Sequence, residues 1–423
     1  MRSKPIWREL LQPESMAAPQ EFDVLIVGGG LVGASLAAAL APLPLKVAVV
    51  EAVPFGSRGQ PSFDDRATAL SQGSRRIFES MGVWSGMASE AAPIRRIHVS
   101  DKGRLGATRL SADEAGVDAL GFVTPNRLIG KALMDFIAGK ENIRLLAPAK
   151  LKSFSADADG VRAEIEAEQP IGIEAKLLIA ADGAQSEIRA KLGVAADKTD
   201  YAQTAIVCNV RVERPEAETA FERFADSGPV ALLPMGSDKY GFVWVTDTAS
   251  APAILGLDDA AFAEQAAAGF GGRFGAFLQV GKRASYPLSM VRAAAQQAPR
   301  TLIIGNAAHA LHPVAAQGFN LSVRDVAMLA EVIADAQHGG QDLGAPEVLA
   351  RYVEARGGDQ RGTALFADML NRIFSNPLAS VAFGRNAGLL AMELMPTARK
   401  TFLKHNMGLA GRLPKLARGL PLT

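Results

Sequence analysis

The sequence predicts an α/β fold. A parallel-sheet domain is founded on an N-terminal β-α-β unit, an antiparallel-sheet domain is interleaved with it, and the C-terminus is helical. Three observations carry that prediction. The charge-free stretch Val24–Leu45 joins an apolar run, a glycine-rich turn and an Ala/Leu-rich segment. The middle of the chain breaks into short β-prone runs separated by turn residues. Beyond a last apolar run at Thr301–Ile304, the remaining residues read mainly as helix.

The elements follow in order. Val24-Leu25-Ile26-Val27 suits a central parallel strand, which is apolar throughout because both of its faces are covered. Leu31 to Leu40 is helix-forming, Pro42 and Pro44 stop it, and Lys46 to Val50 starts a second strand. Val24–Leu45 meets the about-20-residue length of a membrane span. Its four glycines and two prolines, led in by Glu21 and Asp23, favour a buried strand and turn instead. Arg2, Lys4 and Arg8 mimic a basic leader, but Glu9, Glu14, Glu21 and Asp23 come before the apolar run and argue against a signal peptide. From Tyr201 to Pro287, the runs Ala205–Val210, Val230–Leu233 and Tyr240–Val245 are separated by Ser227-Gly228-Pro229 and Gly236-Ser237-Asp238, which predicts an antiparallel sheet. A helix is expected from about Asn320 to Ala336.

The expected division is a flexible tail at 1–20, a discontinuous nucleotide-binding domain at 21–75, 115–200 and 291–345, a substrate domain at 76–114 and 201–290, and a C-terminal helical region at 346–423.

Composition narrows the function classes. A hydrophobic fraction of 48% and a charged fraction of 21% are those of an ordinary globular protein. The net charge of +1 gives no field for nucleic acid, and no nucleic-acid partner is expected. The single cysteine, Cys208, allows no internal disulfide, in keeping with a cytoplasmic location. Of the five histidines only His309 and His312 lie close in sequence, with no nearby Cys or carboxylate cluster, so no metal is expected. After Glu393 no acidic residue occurs, while Arg399, Lys400, Lys404, Arg412, Lys415 and Arg418 alternate with Leu and Phe. Such a stretch either lies on an anionic membrane face or forms a solvated helix end and a loose terminus.

Gly28-Gly29-Gly30-Leu31-Val32-Gly33 is a G-x-G-x-x-G placed between the first strand and the helix, the Rossmann-like position. Gly28 permits the tight turn, Gly30 lets the backbone approach a pyrophosphate, and Gly33 allows close helix–strand packing. The helix N-terminus offers open N–H groups to the phosphates. Glu51 ends the second strand, where an acid can hold a ribose diol. This motif does not separate FAD from NAD. Two later segments bear on that choice: Leu177–Ala181 leading to Asp182-Gly183, with Ser186 and Arg189 behind it, and Leu302–Ile304 leading to Gly305-Asn306-Ala307-Ala308-His309, then Pro313 and Gln317-Gly318-Phe319-Asn320.

In that order the three motifs resemble those of the group A FAD-dependent aromatic hydroxylases, from about Phe22 to the end of the chain. Asp65-Arg66-Ala67-Thr68-Ala69-Leu70-Ser71, Thr124-Pro125-Asn126-Arg127, Gly228-Pro229-x-Ala231-x-Leu233-Pro234 and Tyr286-Pro287-Leu288 resemble the ubiquinone-biosynthesis branch, closest to the 2-polyprenyl-6-methoxyphenol hydroxylases. The resemblance implies bound FAD, with NAD(P)H as a transient electron donor. It places Asp182 and Gly183 near the pyrophosphate, and Gly305 and Asn306 at the ribityl chain. The family's acid is replaced by Asn306, whose amide still donates and accepts but carries no charge. Arg66 and Arg127 would be flavin-side or entry-side arginines. Pro313, Gln317, Gly318 and Asn320 would lie beside the isoalloxazine, with a helix N-terminus aimed at it.

The implied reaction is hydroxylation of a polyprenylated phenol by dioxygen through a flavin C4a-hydroperoxide, since no side chain activates O2 alone. No catalytic side chain is identified, and His309 and His312 read as packed loop residues. Other ubiquinone-biosynthesis proteins and a peripheral site on the inner membrane face are the implied partners and place. Three alternatives stay open: a hydroxylase of a small soluble aromatic acid, an FAD-dependent prenyl-lipid reductase, and a non-catalytic FAD-binding subunit. A basic residue in the pocket would favour the acid, and an apolar tunnel the prenyl tail.

Overall fold

The computed structural model describes residues 18–55, 57, 66–225, 228–312, 316–374, 376 and 378–423. Pro313, Asp65, Ser227 and nearly all of the expected N-terminal tail lie outside the described residues.

The first strand, Gln20–Val27, runs parallel to Val47–Val50 on one side and to Ile171–Ala180 on the other. Ile143–Leu146 and Thr301–Ile303 extend the parallel sheet outward, and Gln297–Ala298 and the strands Lys150–Ala156 and Val161–Glu166 add antiparallel pairs. Alternation along the first strand explains its continuous apolar run. Val24 and Ile26 enter one core with the helix Leu31–Leu40, whereas Leu25 and Val27 enter a second core with Ala48, Leu178 and Ile303. The Leu31–Leu40 helix is almost wholly buried, packed between the helices Asn126–Ala138 and Gln317–His338. Val24–Leu45 is therefore strand, turn and core helix, and no helix among the described residues is long and apolar enough to cross a membrane.

The second sheet has nine strands, ordered His309–Ala310, Ala284–Ala293, Ala196–Val212, Lys239–Asp247, Gly228–Pro234, Thr219–Ala225, Arg96–Asp101 and Ala107–Ser111, with Phe277–Val280 beside Ala196–Val212. One face is sealed by Phe242, Phe262, Phe270, Phe274 and Phe277 packing edge to face. The turn expected over Ser227-Gly228-Pro229 is strand from Gly228 onward, because Gly228 pairs with Ala225 and Pro229 with Phe224. Gly228 holds φ of 120°, and a Cβ there would sit 2.6 Å from the Val245 carbonyl oxygen. A three-stranded sheet of Ala67–Ser71, Gly121–Pro125 and Ala92–Ile94, not foreseen from the sequence, lies apart from the two large sheets.

The C-terminal region forms the helices Pro346–Phe374, Ala379–Leu394 and Pro396–Asn406 and a short turn at Lys415–Arg418. The last residues are neither a loose terminus nor a free amphipathic tail. Leu416, Ala417 and Leu422 are buried in the core of the first helix, Ser80 Oγ donates to the Leu416 carbonyl at 2.7 Å, and Lys415 pairs with Asp335 at 2.9 Å. The apolar residues between the basic ones point inward, which holds this stretch against the protein.

Candidate active site

The glycine turn is built from backbone contacts. Gly28 has φ of 103°, and a Cβ on it would meet the Ala181 carbonyl oxygen at 2.4 Å. A Cβ on Gly33 would lie 1.9 Å from the Gly28 carbonyl oxygen, so both positions demand glycine for packing. Gly30 is the N-cap of the Leu31–Leu40 helix and has no side chain to cap it. The first-turn N–H groups are thus left for an anionic ligand. Glu51 is nearly buried and also braces this turn. Its carboxylate accepts from the Gly29 N–H at 2.7 Å and the Val53 N–H at 2.9 Å, fixing the turn to the end of the second strand.

The other two motifs close on this turn. Asp182 Oδ2 accepts from the Ile188 N–H at 3.2 Å, while its Oδ1 is buried with no hydrogen-bond partner among the described residues. An orphaned carboxylate oxygen behind the glycine turn is a place where a ligand donor is missing. Arg189 donates to the carbonyls of Ala307 at 2.6 Å and Ala184 at 3.0 Å, clamping the Asp182-Gly183 loop to the Gly305–Ala308 loop. Gly305, with φ of 60°, packs on Val32 of the first helix and so delivers Asn306 beside the nucleotide turn. Uncapped helix start, orphaned Asp182 oxygen and close-packed glycines together fit a bound dinucleotide.

Gly30, Arg66, Gly183, Asn306, Gln317, Gly318 and Asn320 line one cavity of about 600 Å³. Glu51, Gly28 and Gly33 support it from behind. Arg127 is not in the lining; its half-exposed side chain lies 3.9 Å from Glu90. The guanidinium of Arg66 lies over the Tyr286 ring, 4.4 Å from its centre, which joins the Arg66–Ser71 segment of the cavity lining to the Tyr286–Leu288 segment.

The helix expected from Asn320 starts earlier, at Gln317. Its N-cap, Ala316, has φ of 50° and no capping side chain, so this N-terminus also opens on the cavity. Asn320 uses its whole amide inside the protein. Its Oδ1 accepts from Ser71 N–H and Ser74 Oγ, and its Nδ2 donates to the Ala69 and Ala316 carbonyls. With all four positions used, it positions the helix start instead of binding a ligand directly.

The two histidines lie outside the lining. His309 Nε2 is 2.5 Å from Asp325 Oδ2, and both are buried. His312 hydrogen-bonds Gln203 at 3.2 Å, and burial lowers its pKa to about 4, which keeps it neutral. Among the described residues no group of three or more His, Cys, Asp or Glu is placed to hold a metal ion.

Sequence reasoning missed several cavity residues. Thr68 and Asn126, hydrogen-bonded at 2.6 Å, lie in segments that carry the family resemblance but had no assigned role. Phe402, Leu403, Asn406 and Met407 come from the C-terminal helix and the residue after it, and no local pattern links them to a site some 80 residues away. The lining also includes Leu110, Leu233, Val243 and Val245 of the nine-stranded sheet, and Phe402 and Met407 beside the helix start, where Gln317 Nε2 donates to the Asn406 carbonyl at 3.3 Å. Arg66 and Glu222 are the charged side chains in the described lining.

Comparison with known proteins agrees with this geometry. A family model for an FAD binding domain matches residues 21–361. The chain is 36% identical over 416 residues to the ubiquinone hydroxylase UbiL of Rhodospirillum rubrum, covering 97% of this chain and 96% of that protein. It is 30% identical to the 3-demethoxyubiquinol 3-hydroxylase of Escherichia coli, covering 92% and 99%. The crystal structure of the p-nitrophenol 4-monooxygenase PnpA from Pseudomonas putida superposes with a TM-score of 0.77 at 18% identity, over 93% of this chain and 99% of that one, a likeness of fold. The chain belongs to the FAD binding domain family, among the FAD-dependent aromatic hydroxylases.

Proposed function

We propose that this protein is an FAD-dependent monooxygenase that hydroxylates the aromatic ring of a polyprenylated phenol in ubiquinone biosynthesis, with NAD(P)H as electron donor and dioxygen as co-substrate. The observation that carries the substrate class is the largely apolar wall that the nine-stranded sheet gives the cavity, Ile97, Leu110, Leu233, Val243 and Val245. A small aromatic acid would need a free basic group there; Arg66 is the sole basic side chain in the described lining, and it sits over Tyr286. Relatives named for ubiquinone hydroxylation support the pathway.

Bound FAD supplies the dioxygen chemistry that no side chain can. The protein's own share is placement and exclusion. Gly30 and the open helix start would hold the pyrophosphate, Glu51 and Asp182 the adjoining hydroxyl and ribose region, and Asn306 the ribityl chain. The uncapped N-terminus at Gln317 and Gly318 would offset negative charge on the reduced ring. Leu233, Val243 and Phe402 would keep water from the reacting centre. Arg127 is better placed at the outer surface, beside Glu90, than at the flavin. A peripheral contact with the membrane that stores such a substrate belongs to the same proposal.

The test is mass spectrometry of quinone precursors in a strain lacking the gene, joined to labelled-dioxygen incorporation by the purified protein. Accumulation of a prenylated phenol and one labelled oxygen in the product are expected. Unlabelled product would leave a prenyl-lipid reductase, and a normal quinone profile would leave the soluble aromatic acid.

A further inference from the structure

The helix Ala379–Leu394 is turned inside out. Its charged and amide side chains face the protein: Arg385 pairs with Asp101 at 2.7 Å, Asn386 bonds Asp101 and the Gly106 N–H, and Glu393 accepts from the Arg109 N–H and approaches Arg399. Its outward stripe is Phe383, Ala387, Leu390, Ala391 and Leu394, at i, i+4, i+7, i+8 and i+11, without a charge. Phe383 is 75% exposed and Leu394 79%, and Met395 continues the surface at 56%. A surface helix in water presents the opposite pattern. An exposed apolar stripe of this length marks an interaction face.

Two features say what covers it. The next helix, Pro396–Asn406, begins directly after Met395 and presents exposed Lys400 and Lys404, and no acidic residue follows Glu393. Arg399 of that helix is paired with Glu114 and Glu393, and the exposed Lys400 and Lys404 are the positive charges beside the stripe, the complement of an anionic surface. The same helix carries Phe402 and Leu403 into the cavity lining, so the apolar face and the proposed prenyl channel adjoin. We propose that the Ala379–Leu394 face docks on the surface of an anionic lipid bilayer, with Phe383, Leu390, Leu394 and Met395 sunk below the headgroups and Lys400 and Lys404 at phosphate level. That this delivers a lipid substrate to the cavity rests on the function proposed above; the docking itself rests on the surface alone.

The experiment is vesicle flotation of the full-length FAD-loaded protein, with phosphatidylglycerol-containing and pure phosphatidylcholine vesicles. The protein is expected to float with the anionic vesicles. The double variant Phe383→Ser/Leu390→Ser should bind about tenfold more weakly, and Lys400→Gln and Lys404→Gln about fivefold more weakly each. Both sets should keep flavin absorbance and melting temperature. Absence of flotation by the native protein, or unchanged flotation of the double variant, overturns the proposal. So does a native oligomer that the double variant splits to monomers with flotation unaffected, since the face would then meet a second copy. Flotation combined with a normal quinone profile in the deletion strain would leave the docking face standing and remove the substrate reading.

Discussion

At Gly30 and Gly33 the same residue type serves two ends, and substitution separates them. Gly30 has φ of −63°, an ordinary conformation, so Gly30→Asp should fold and lose FAD by setting a carboxylate against the pyrophosphate. Gly33→Ala should destabilise the fold itself, by an amount on the order of several kcal/mol, because its Cβ meets backbone at 1.9 Å. Flavin absorbance and thermal melts of the two purified variants tell them apart; a Gly30→Asp protein saturated with FAD would remove the pyrophosphate assignment. His312 is a second single-residue case. Its pKa is depressed to about 4 by burial, below the about 6.5 of an unfolded chain, so the unfolded state binds the extra proton between those values. Its contribution is complete above pH 6.5 and lost as pH falls toward 4, on the order of 3 kcal/mol. His312→Gln, which can still bond Gln203, should flatten the stability curve in that window, measured by urea midpoints against pH.

Between elements, the helices Gln317–His338 and Pro346–Phe374 are joined by a buried ionic clamp. Asp325 is held by His309 and by Arg356, each at 2.5 Å, and Asp359 by Arg324 at 2.8 Å and Arg356 at 2.6 Å. Burial pushes the Asp325 carboxyl up, yet Arg356 and His309 outweigh it and hold the group below the usual carboxylate range. Asp359 is also pushed up by burial, and Arg324 and Arg356 lower it in the same way. Depressed carboxylates stabilise the fold above their unfolded pKa of about 4 and release that stability as the pH falls below it. Asp325→Asn should cost about 1.5–3 kcal/mol near neutrality, because Arg356 and His309 lose their shared buried carboxylate while Arg356 keeps Asp359. It should also shrink the acid limb below about pH 4, and an unchanged acid midpoint would show that the clamp does not set it. Because His309 follows the Asn306 loop directly, the variant should weaken FAD retention as well.

For the whole molecule, the cavity belongs to no single unit. The glycine turn, the nine-stranded sheet and the helix Pro396–Asn406 each contribute a wall. Removing residues 400–423 would take away Phe402, Leu403, Asn406 and Met407 from the lining and Leu416, Ala417 and Leu422 from the core. Loss of FAD and a melting temperature lower by about ten degrees or more are expected, from several buried apolar side chains at about 1.5–3 kcal/mol each. A truncated protein with native flavin content and melting temperature would contradict the packed terminus. Such a truncation cannot serve as a test of membrane contact; substitution at Phe383 and Leu390 can, since both lie outside the cavity and the core.

The sequence by itself determined the β-α-β unit, the order of the three motifs and the existence of a second, antiparallel sheet. Those features are local: a fully buried strand must be apolar throughout, a close-packed turn must use glycine, and both leave their mark on adjacent residues. It also predicted a helix pointing its N-terminus into the site, three residues late at its start, because the Ala316 cap carries no side-chain signal. Tertiary structure decided the rest. Asn320 is a pin for Ser71, Ser74 and Ala69, which lie about 250 positions away, and the basic C-terminal stretch is a wall of the cavity. Arg127 sits at the surface beside Glu90, and the apolar side of Ala379–Leu394 faces outward. Periodicity reports that a helix has a polar and an apolar face; only the packing against Asp101 and Gly106 decides which of them turns toward the protein.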